Sequence, residues 1–207
     1  MKLTLVIDTS VFVNPASGQA FGNSPTSSLA GFLELLSSRP DIDVVVPPSI
    51  YSELMYFVEQ PKILPSLLIR VKQQAPKKHE LKVPGFFIYS LVESFRDRVD
   101  RSLRLAERHV REALVMPAPL SEKERDPNSV REDAKQISTL RESFRRMMRE
   151  GMLDSKADVD LLLLAYELSA TLVSADEGVL LWAENLGIAT LPYQQLKEVV
   201  SSRVANS

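Results

Sequence analysis

Three aspartates, Asp154, Asp158 and Asp160, fall within seven positions at the start of an apolar run that is long enough to form a helix. Carboxylates collected at the edge of an apolar segment are costly unless a cation or water balances their charge. Asp154 is expected to cap a helix that begins at Ser155, and Asp158 lies one turn later on nearly the same face. Asp160 points to a different side of that helix.

Two further acids follow predicted strands. Asp8 comes directly after the apolar run at 3–7, and Asp176 comes directly after the run at 171–175. Because ligands of parallel sheets collect at the carboxyl ends of the strands, both acids are expected at one rim of the sheet. Glu53, one turn into the helix that follows the second strand, is a further candidate for the same rim.

Carboxylates brought this close together raise each other's pKa unless a cation lies among them. Carboxylate oxygens are hard ligands that bind Mg²⁺ preferentially, and Mn²⁺ can substitute for it. A cluster of four acids is large enough to bind one or two such ions. Phosphodiester hydrolysis by a metal-activated water is the chemistry that uses such a cluster.

Each acid also has a simpler interpretation. Asp154 is equally well explained as a helix cap alone, Asp158 and Asp160 as acids favoured by the helix dipole, and Glu53 as a surface residue. Asp8 and Asp176 are harder to explain in this way, because an acid directly after a buried strand must be either solvated or partnered.

The elements that position these acids alternate between strand and helix, which predicts an α/β fold with a central parallel sheet flanked by helices. The predicted strands are 3–7, the segment from 43 to the Pro-Pro stop at 47–48, 171–175 and 188–191. The predicted helices are 29–36, one capped by Ser49, 155–169, 177–187 and one at the C-terminus.

The middle of the chain interrupts this alternation with two long amphipathic helices, at about 86–114 and 129–150, joined by a Pro-rich segment. They predict an antiparallel helical hairpin inserted at 85–150 into an α/β domain formed by 1–84 and 151–207. The apolar stripe of the hairpin is expected to pack on the α/β domain or on another copy of the chain, so self-association is plausible.

Charge is unevenly distributed. Residues 94–150 hold fourteen Lys and Arg against eleven Asp and Glu, whereas the rest of the chain holds eleven against sixteen. This asymmetry suits an enzyme that grips a polyanion with one region and binds metal with another, although a solvated helix of mixed charge explains it as well. The candidate RNA-binding residues are Arg101, Arg104, Arg108, Arg111, Arg141, Arg145, Arg146 and Arg149.

The chain contains no cysteine, which excludes thiol catalysis and thiolate metal sites and favours a cytoplasmic setting. The N-terminal apolar run is too short for a signal peptide or a membrane span, so no membrane partner is expected. Trp182 is expected in the core. His79 and His109 are expected on the surface, and no role is assigned to Tyr51 or Tyr56.

The acidic segments VIDTSVF, DSKADVDLLLLA and VSADEG, with Glu53, resemble the motifs of PIN-type metallonucleases. The segments DTSVFVNP, Phe21-Gly22, PPSIYSEL, GMLDSKADVDLLLLAYEL and SADEGVLLWAENLGI are similar to one PIN-like branch, the minimal protein-only ribonuclease P family, formerly called RNA ligase partner. The similarity covers most of the chain, including the helical insertion. The Pro-rich joint at 117–127 is the part without a match.

The resemblance implies removal of the 5′ leader of precursor transfer RNA by a divalent metal, without a catalytic RNA. It assigns catalysis and metal binding to Asp8, Asp154, Asp158 and Asp176, with Asp160 as a fifth metal ligand and with Glu53 as a further ligand from the general PIN pattern. It also implies that the hairpin assembles the chain into rings of dimers of up to twelve subunits.

Three alternatives remain open from the sequence. The chain could be another PIN nuclease, such as a toxin or a ribosomal RNA processing factor, although toxins are usually shorter. A haloacid-dehalogenase phosphatase would need a second aspartate at position 10, which is serine. An inactive RNA-binding scaffold is the alternative from a different functional class.

Overall fold

The computed structural model describes residues 2–15, 20–115, 127–149, 153 and 155–202. The chain divides into two compact units, one formed by Met1–Pro84 with Leu153–Ser207 and the other by Gly85–Met152. None of the helices that the structure describes combines the length and the apolar character needed to cross a lipid bilayer.

The first unit is built on a four-stranded parallel sheet, whose strands lie in the spatial order β3-β2-β1-β4. Parallel strands covered on both faces are expected to be continuously apolar, and the end of the first strand shows this in Leu5, Val6 and Ile7, which are all buried. The strands are β1 Leu3–Ile7, β2 Ile42–Val46, β3 Val71–Gln73 and β4 Thr171–Val173.

The helices follow in chain order, with α5 and α6 forming the second unit. They are α1 Ser10–Val13, α2 Pro25–Ser37, α3 Pro48–Phe57, α4 Gln60–Arg70, α5 Gly85–Val115, α6 Pro127–Arg149, α7 Lys156–Glu167, α8 Glu177–Asn185 and α9 Tyr193–Ser201. The predicted α/β fold with an inserted helical hairpin is therefore confirmed.

Strand β1 lies in the middle of the sheet and sets the position of the first acid. It pairs with β2 on one side and with β4 on the other, where Ile7 is opposite Val173. The hydrogen-bond ladder between β1 and β4 continues by one bond beyond Ile7, because the Asp8 N–H donates to the Val173 carbonyl at 2.9 Å. The ends of β1 and β4 therefore meet at one rim, as the sequence predicted.

Several local predictions were wrong. Ser49 does not cap α3, because Pro47 is the N-cap and the helix already begins at Pro48, where the fixed φ of proline suits the first turn. Asp154 is not the cap of α7 either, since Ser155 occupies that position and its hydroxyl accepts from the Asp158 N–H.

At the edges of the sheet the structure also differs from the prediction. The strand predicted at 188–191 is a single bridge between Leu172 and Thr190. Helix α4 and strand β3 were not predicted. The α4 sequence contains Pro65 inside the helix, and proline normally indicates a loop or a helix end, so the pattern was misleading there.

The Phe21-Gly22 pair packs the preceding loop onto α2. The Phe21 ring meets Phe32 edge-on at a centroid distance of 5.6 Å, and Phe12 of α1 contacts the same ring at 5.3 Å. A side chain on Gly22 would lie 2.5 Å from the Ser27 carbonyl carbon, so only glycine permits this approach. The pair therefore supports the short helix that follows Asp8.

The second unit is the helical hairpin. Arg98 of α5 is 2% exposed and donates to the carbonyl oxygens of Met147 and Met148 at 3.1 and 2.9 Å. These carbonyls lie in the last turn of α6, where a helix leaves its carbonyl groups without intrahelical partners. A residue in the first half of α5 thus caps the end of α6, as an antiparallel pair requires.

Candidate active site

A cavity of about 510 Å³ opens at the carboxyl ends of β1 and β4. Four carboxylates from separate parts of the chain line it, namely Asp8 after β1, Glu53 in α3, Asp158 in α7 and Asp176 before α8. The structure therefore brings together four of the six acids that the sequence singled out.

Asp8 is held by two serine hydroxyls. Ser10 and Ser174 donate hydrogen bonds to its Oδ2 atom at 2.5 and 2.6 Å. Both hydroxyls also accept, since Ser10 Oγ receives the Ala175 N–H and Ser174 Oγ receives the Asp176 N–H, each at 3.0 Å. Because Asp8 is only 6% exposed, this network fixes the orientation of its carboxylate.

Asp176 is the N-cap of α8. Its Oδ1 atom accepts from the N–H groups of Gly178 and Val179 at 2.7 and 3.1 Å. These groups would otherwise lack partners at the start of the helix. The acid is thus fixed by its own helix and, through its N–H, by Ser174.

Glu53 lies close enough to its acidic neighbours to be affected by their charge. Loss of hydration in the cavity, followed by the negative charges of Asp8 and Asp158, raises the pKa of the Glu53 carboxyl above its ordinary value. The Thr9 side chain acts in the opposite direction. The cavity is therefore a place where additional negative charge is unfavourable and a cation would be stabilised.

Asp160 does not line this cavity. Its Oδ1 atom forms an ion pair with Lys78 Nζ at 2.6 Å, and its Oδ2 atom accepts from Ser49 Oγ at 3.2 Å. The side chain therefore links α7 to α3 and to the segment that holds Lys78. Asp154, the sixth predicted acid, lies outside the described residues.

Among the residues that the structure describes, no group of three or more His, Cys, Asp or Glu side chains forms a ready-made metal site. The four carboxylates line a common space rather than surrounding one point. Metal binding by Asp8, Glu53, Asp158, Asp160 and Asp176 stays a prediction, and so does their role in catalysis.

The candidate RNA-binding arginines are exposed wherever their side chains are described. On α5, Arg111 pairs with Glu107 at 3.8 Å, while Arg101 and Arg104 donate to backbone carbonyls one turn earlier. Arg108, Arg141, Arg145 and Arg146 are also exposed, and the Arg149 side chain lies outside the described part of the chain. Their RNA contacts stay predictions.

Sequence reasoning missed the serines around Asp8. A usable signal was present, because Ser10 lies two residues after Asp8 and Ser174 lies two residues before Asp176. Small hydroxyl residues beside acids at strand ends are suited to orienting carboxylates. Phe57, which lines the cavity one turn after Glu53, had no such signal.

Two other expectations about single residues can be assessed. Trp182 is 3% exposed and belongs to the core, as predicted. His79 is exposed, and His109 is partly exposed in α5 with its Nδ1 atom 3.1 Å from the Leu105 carbonyl oxygen. Neither histidine lines the acidic cavity.

Comparisons with known proteins agree with the resemblance. Residues 4–205 match the PINc domain ribonuclease family. The RNA-free ribonuclease P of Thermococcus onnurineus strain NA1 is 38% identical over 206 residues, covering 98% of this chain and 96% of that protein. The RNA-free ribonuclease P of Pyrococcus horikoshii is 39% identical, covering 98% and 93%.

The RNA-free ribonuclease P of Thermodesulfovibrio yellowstonii is 34% identical, and the match covers 98% of this chain and 96% of that protein. Among solved structures, a PilT N-terminus domain protein from Sulfolobus solfataricus P2 covers 99% of both chains at 14% identity with a TM-score of 0.40. From the family match and the identity to these relatives, the chain is an endoribonuclease that belongs to the PINc domain ribonuclease family and, within it, to the RNA-free ribonuclease P family.

Proposed function

We propose that this protein is a metal-dependent endoribonuclease that removes the 5′ leader of precursor transfer RNA without a catalytic RNA. The observation that carries the proposal is the meeting of four carboxylates at one cavity in a chain of this family, one directly after β1, one in α3, one in α7 and one directly before α8. The names of its relatives support the substrate class.

The donor set fits a hard divalent cation. Every acidic group at the cavity is a carboxylate, and oxygen ligands of this kind select Mg²⁺ or Mn²⁺ over softer metals. Loss of hydration, followed by the charges of Asp8 and Asp158, raises the pKa of the Glu53 carboxyl, so further negative charge is unfavourable there. Asp8, Asp158 and Asp176, with Glu53 and with Asp154 from the same segment of the chain, would hold the cation.

The chemistry that a bound Mg²⁺ or Mn²⁺ supplies is activation of a water molecule and neutralisation of the charge that develops on the phosphodiester. The residues of the chain supply orientation. Ser10 and Ser174 hold Oδ2 of Asp8, and the first turn of α8 holds Oδ1 of Asp176, so both carboxylates are fixed before substrate binds. Such preorganisation lowers the cost of reaching the transition state.

The hairpin has two roles in this proposal. Its exposed arginines on α5 and α6 bind the phosphates of the folded RNA, which is recognised by shape and backbone rather than by base sequence. Its exposed apolar residues, which include Val92, Phe95, Val99 and Leu103, bind a second copy of the chain. The assembly would be a homo-oligomer, with a ring of dimers of up to twelve subunits as its largest form.

The deciding experiment is cleavage of a 5′-extended precursor transfer RNA in Mg²⁺, with the product ends mapped to single nucleotides. The wild type should cut at the mature 5′ end. Asp8→Asn should lose at least about a hundredfold in rate, because the substitution keeps the shape of the side chain and removes its charge. Glu184→Gln is a matched control, since Glu184 is an exposed acid of α8 that does not line the cavity.

The other outcomes separate the alternatives. Cuts at other positions would indicate a different PIN nuclease, such as a toxin or a ribosomal RNA processing factor. An intact substrate, together with Mn²⁺ binding that does not depend on Asp8, would indicate a scaffold that binds RNA without cutting it.

A further inference from the structure

Two aromatic side chains lie at the end of α3, beside the acidic cavity. Phe57 lines the cavity and is 42% exposed, and its neighbour Tyr56 is 85% exposed. Phe57 lies four residues after Glu53, so both side chains project from the same face of α3, one turn apart. An aromatic surface is thus placed next to the carboxylates.

The two rings form a corner that is open to solvent. Their centroids are 5.4 Å apart and their planes meet at 88°, which is the favourable edge-to-face arrangement. The contact steadies both rings, while the exposure leaves aromatic surface uncovered. Neither ring belongs to the buried core of the first unit, so packing within that unit does not explain them.

The charge of the cavity restricts what these rings can bind. A phosphate without a cation would be repelled by Asp8, Glu53 and Asp158, and the rings carry no charge that could attract it. A nucleobase is neutral and flat, and it stacks on aromatic side chains in single-stranded RNA whatever its sequence. The corner therefore suits a base whose phosphate lies towards the carboxylates.

We propose that Phe57, supported edge-on by Tyr56, stacks on an unpaired nucleobase that flanks the scissile phosphodiester. The inference rests on the proposed function, because the carboxylates beside Phe57 must receive the phosphodiester. Phe57 is then a positioning residue that sets which phosphodiester enters the cavity. No base-specific contact is needed for this role.

The first test measures stacking without cleavage. Phe57→Trp places a fluorescent ring at the corner, and the single native tryptophan, Trp182, is buried and contributes a constant background. In Mg²⁺ and an Asp8→Asn background, which removes cleavage and one of the repelling charges, a single-stranded RNA oligonucleotide should quench the new tryptophan, whereas an abasic ribose-phosphate oligomer of the same length should not. Ile69→Trp is the control, because Ile69 is 80% exposed and does not line the acidic cavity.

Equal quenching at positions 57 and 69 would show only collisional contact and would overturn the proposal. Equal quenching by the abasic oligomer would overturn it as well, since a backbone without bases cannot stack. Selective quenching at position 57 by RNA with bases would support it. This readout does not depend on whether the protein cuts RNA.

The second test is a double-mutant cycle that combines a substitution at Phe57 with the loss of one base in the substrate. Precursor transfer RNAs that lack the base of one nucleotide, on either side of the mapped cut, are cleaved by wild type, Phe57→Ala and Phe57→Leu. Removing the stacked base should lower kcat/KM of the wild type by about 5- to 100-fold, the range expected for one base stacked on an aromatic ring. Phe57→Ala and Phe57→Leu should have a lower kcat/KM on the intact precursor, and removing the base should lower it almost no further. Phe57→Trp should respond to base removal like the wild type.

If base removal lowers kcat/KM of the variants by the same factor as that of the wild type, stacking on Phe57 is overturned, while the proposed nuclease activity is not. Failure of the wild type to cut any precursor would instead overturn the proposed function, and the fluorescence result would then stand alone. Ile69→Ala is the control for loss of an exposed apolar side chain, and it should cleave all substrates like the wild type.

Discussion

The Ser174 hydroxyl donates a 2.6 Å hydrogen bond to Oδ2 of Asp8 and thereby joins residues that are 166 positions apart in the sequence. The same hydroxyl accepts from the Asp176 N–H at 3.0 Å, so one serine bridges two acids of the cavity. The bridge is possible because β1 and β4 are adjacent and end at the same level of the sheet.

This bridge predicts that Ser174→Ala slows cleavage more than it weakens RNA binding. Asp8 would lose one of its two described donors, and a misplaced carboxylate costs roughly 10- to 100-fold in rate. Single-turnover cleavage and RNA binding should be measured together. Ser28→Ala removes another buried hydroxyl and should change stability without changing the rate. A Ser174→Ala enzyme with the wild-type rate would contradict the orienting role.

The ion pair between Asp160 and Lys78 predicts that Asp160 contributes less to metal binding than Asp158. Both Asp160 oxygens are already engaged, by Lys78 Nζ and Ser49 Oγ. We expect Asp158→Asn to weaken Mn²⁺ binding by at least about tenfold and Asp160→Asn by much less, in calorimetric titrations without RNA. Equal losses in the two variants would instead identify Asp160 as a ligand, as the sequence predicted.

The pair formed by Arg39 and Asp41 predicts a loss of stability in acid. The hydrogen bonds from the Arg39 guanidinium lower the pKa of Asp41 from 3.8 to about 2. A carboxyl whose pKa is lowered on folding stabilises the protein above its unfolded pKa, and this contribution is lost as the pH falls from about 4 to about 2. Asp41→Asn should therefore lower the melting temperature at pH 7, and the difference from wild type should shrink as the pH falls from about 4 to about 2.

The measurement is thermal denaturation of both proteins across this pH range. Glu34→Gln is the control, because Glu34 is an exposed acid of α2, and its effect should be small at every pH. A difference between Asp41→Asn and wild type that stayed constant down to pH 2 would show that the pair contributes through packing rather than through charge.

The hydrogen bonds from Arg98 to the end of α6 predict that replacing Arg98 destabilises the hairpin locally. Without its guanidinium, two half-buried carbonyls at the end of α6 would lose a donor, which costs on the order of 1 kcal/mol for each hydrogen bond. Arg98→Ala should therefore speed hydrogen exchange in the last turns of α6. Arg101→Ala is the matched control, since Arg101 is exposed in the same helix. If hydrogen exchange in α6 were unchanged in Arg98→Ala, Arg98 would not stabilise the end of this helix.

The exposed apolar face of α5 predicts self-association. Val99 is 66% exposed, and an aspartate there would place a charge in any interface that Phe95, Val99 and Leu103 form. Val99→Asp should lower the mass measured by light scattering. Thr139→Asp adds the same charge at an exposed polar position of α6 and should leave the mass unchanged. An unchanged mass in Val99→Asp would exclude this face from the interface.

The sequence alone was sufficient for the α/β class, for the strands β1, β2 and β4 and for the hairpin, because hydrophobic periodicity is a local property of the chain. It also identified Asp8 and Asp176 as acids at strand ends, since a charge directly after a buried strand must lie at the rim of the sheet. Helix boundaries were less certain. The N-cap of α3 lies two residues before the predicted one, at Pro47 rather than Ser49, and the N-cap of α7 lies one residue after it, at Ser155 rather than Asp154.

Only the tertiary structure decided which acids share a cavity and what each one contacts. Helical spacing indicated that Asp160 points away from Asp158, but its partners Ser49 and Lys78 come from distant segments that no local pattern relates to it. Likewise, Arg98 differs from the neighbouring arginines only because α6 ends against it, and Phe57 matters only because α3 ends beside Asp8. Periodicity tells which face a residue lies on, whereas the packing of distant segments determines which partner that face meets.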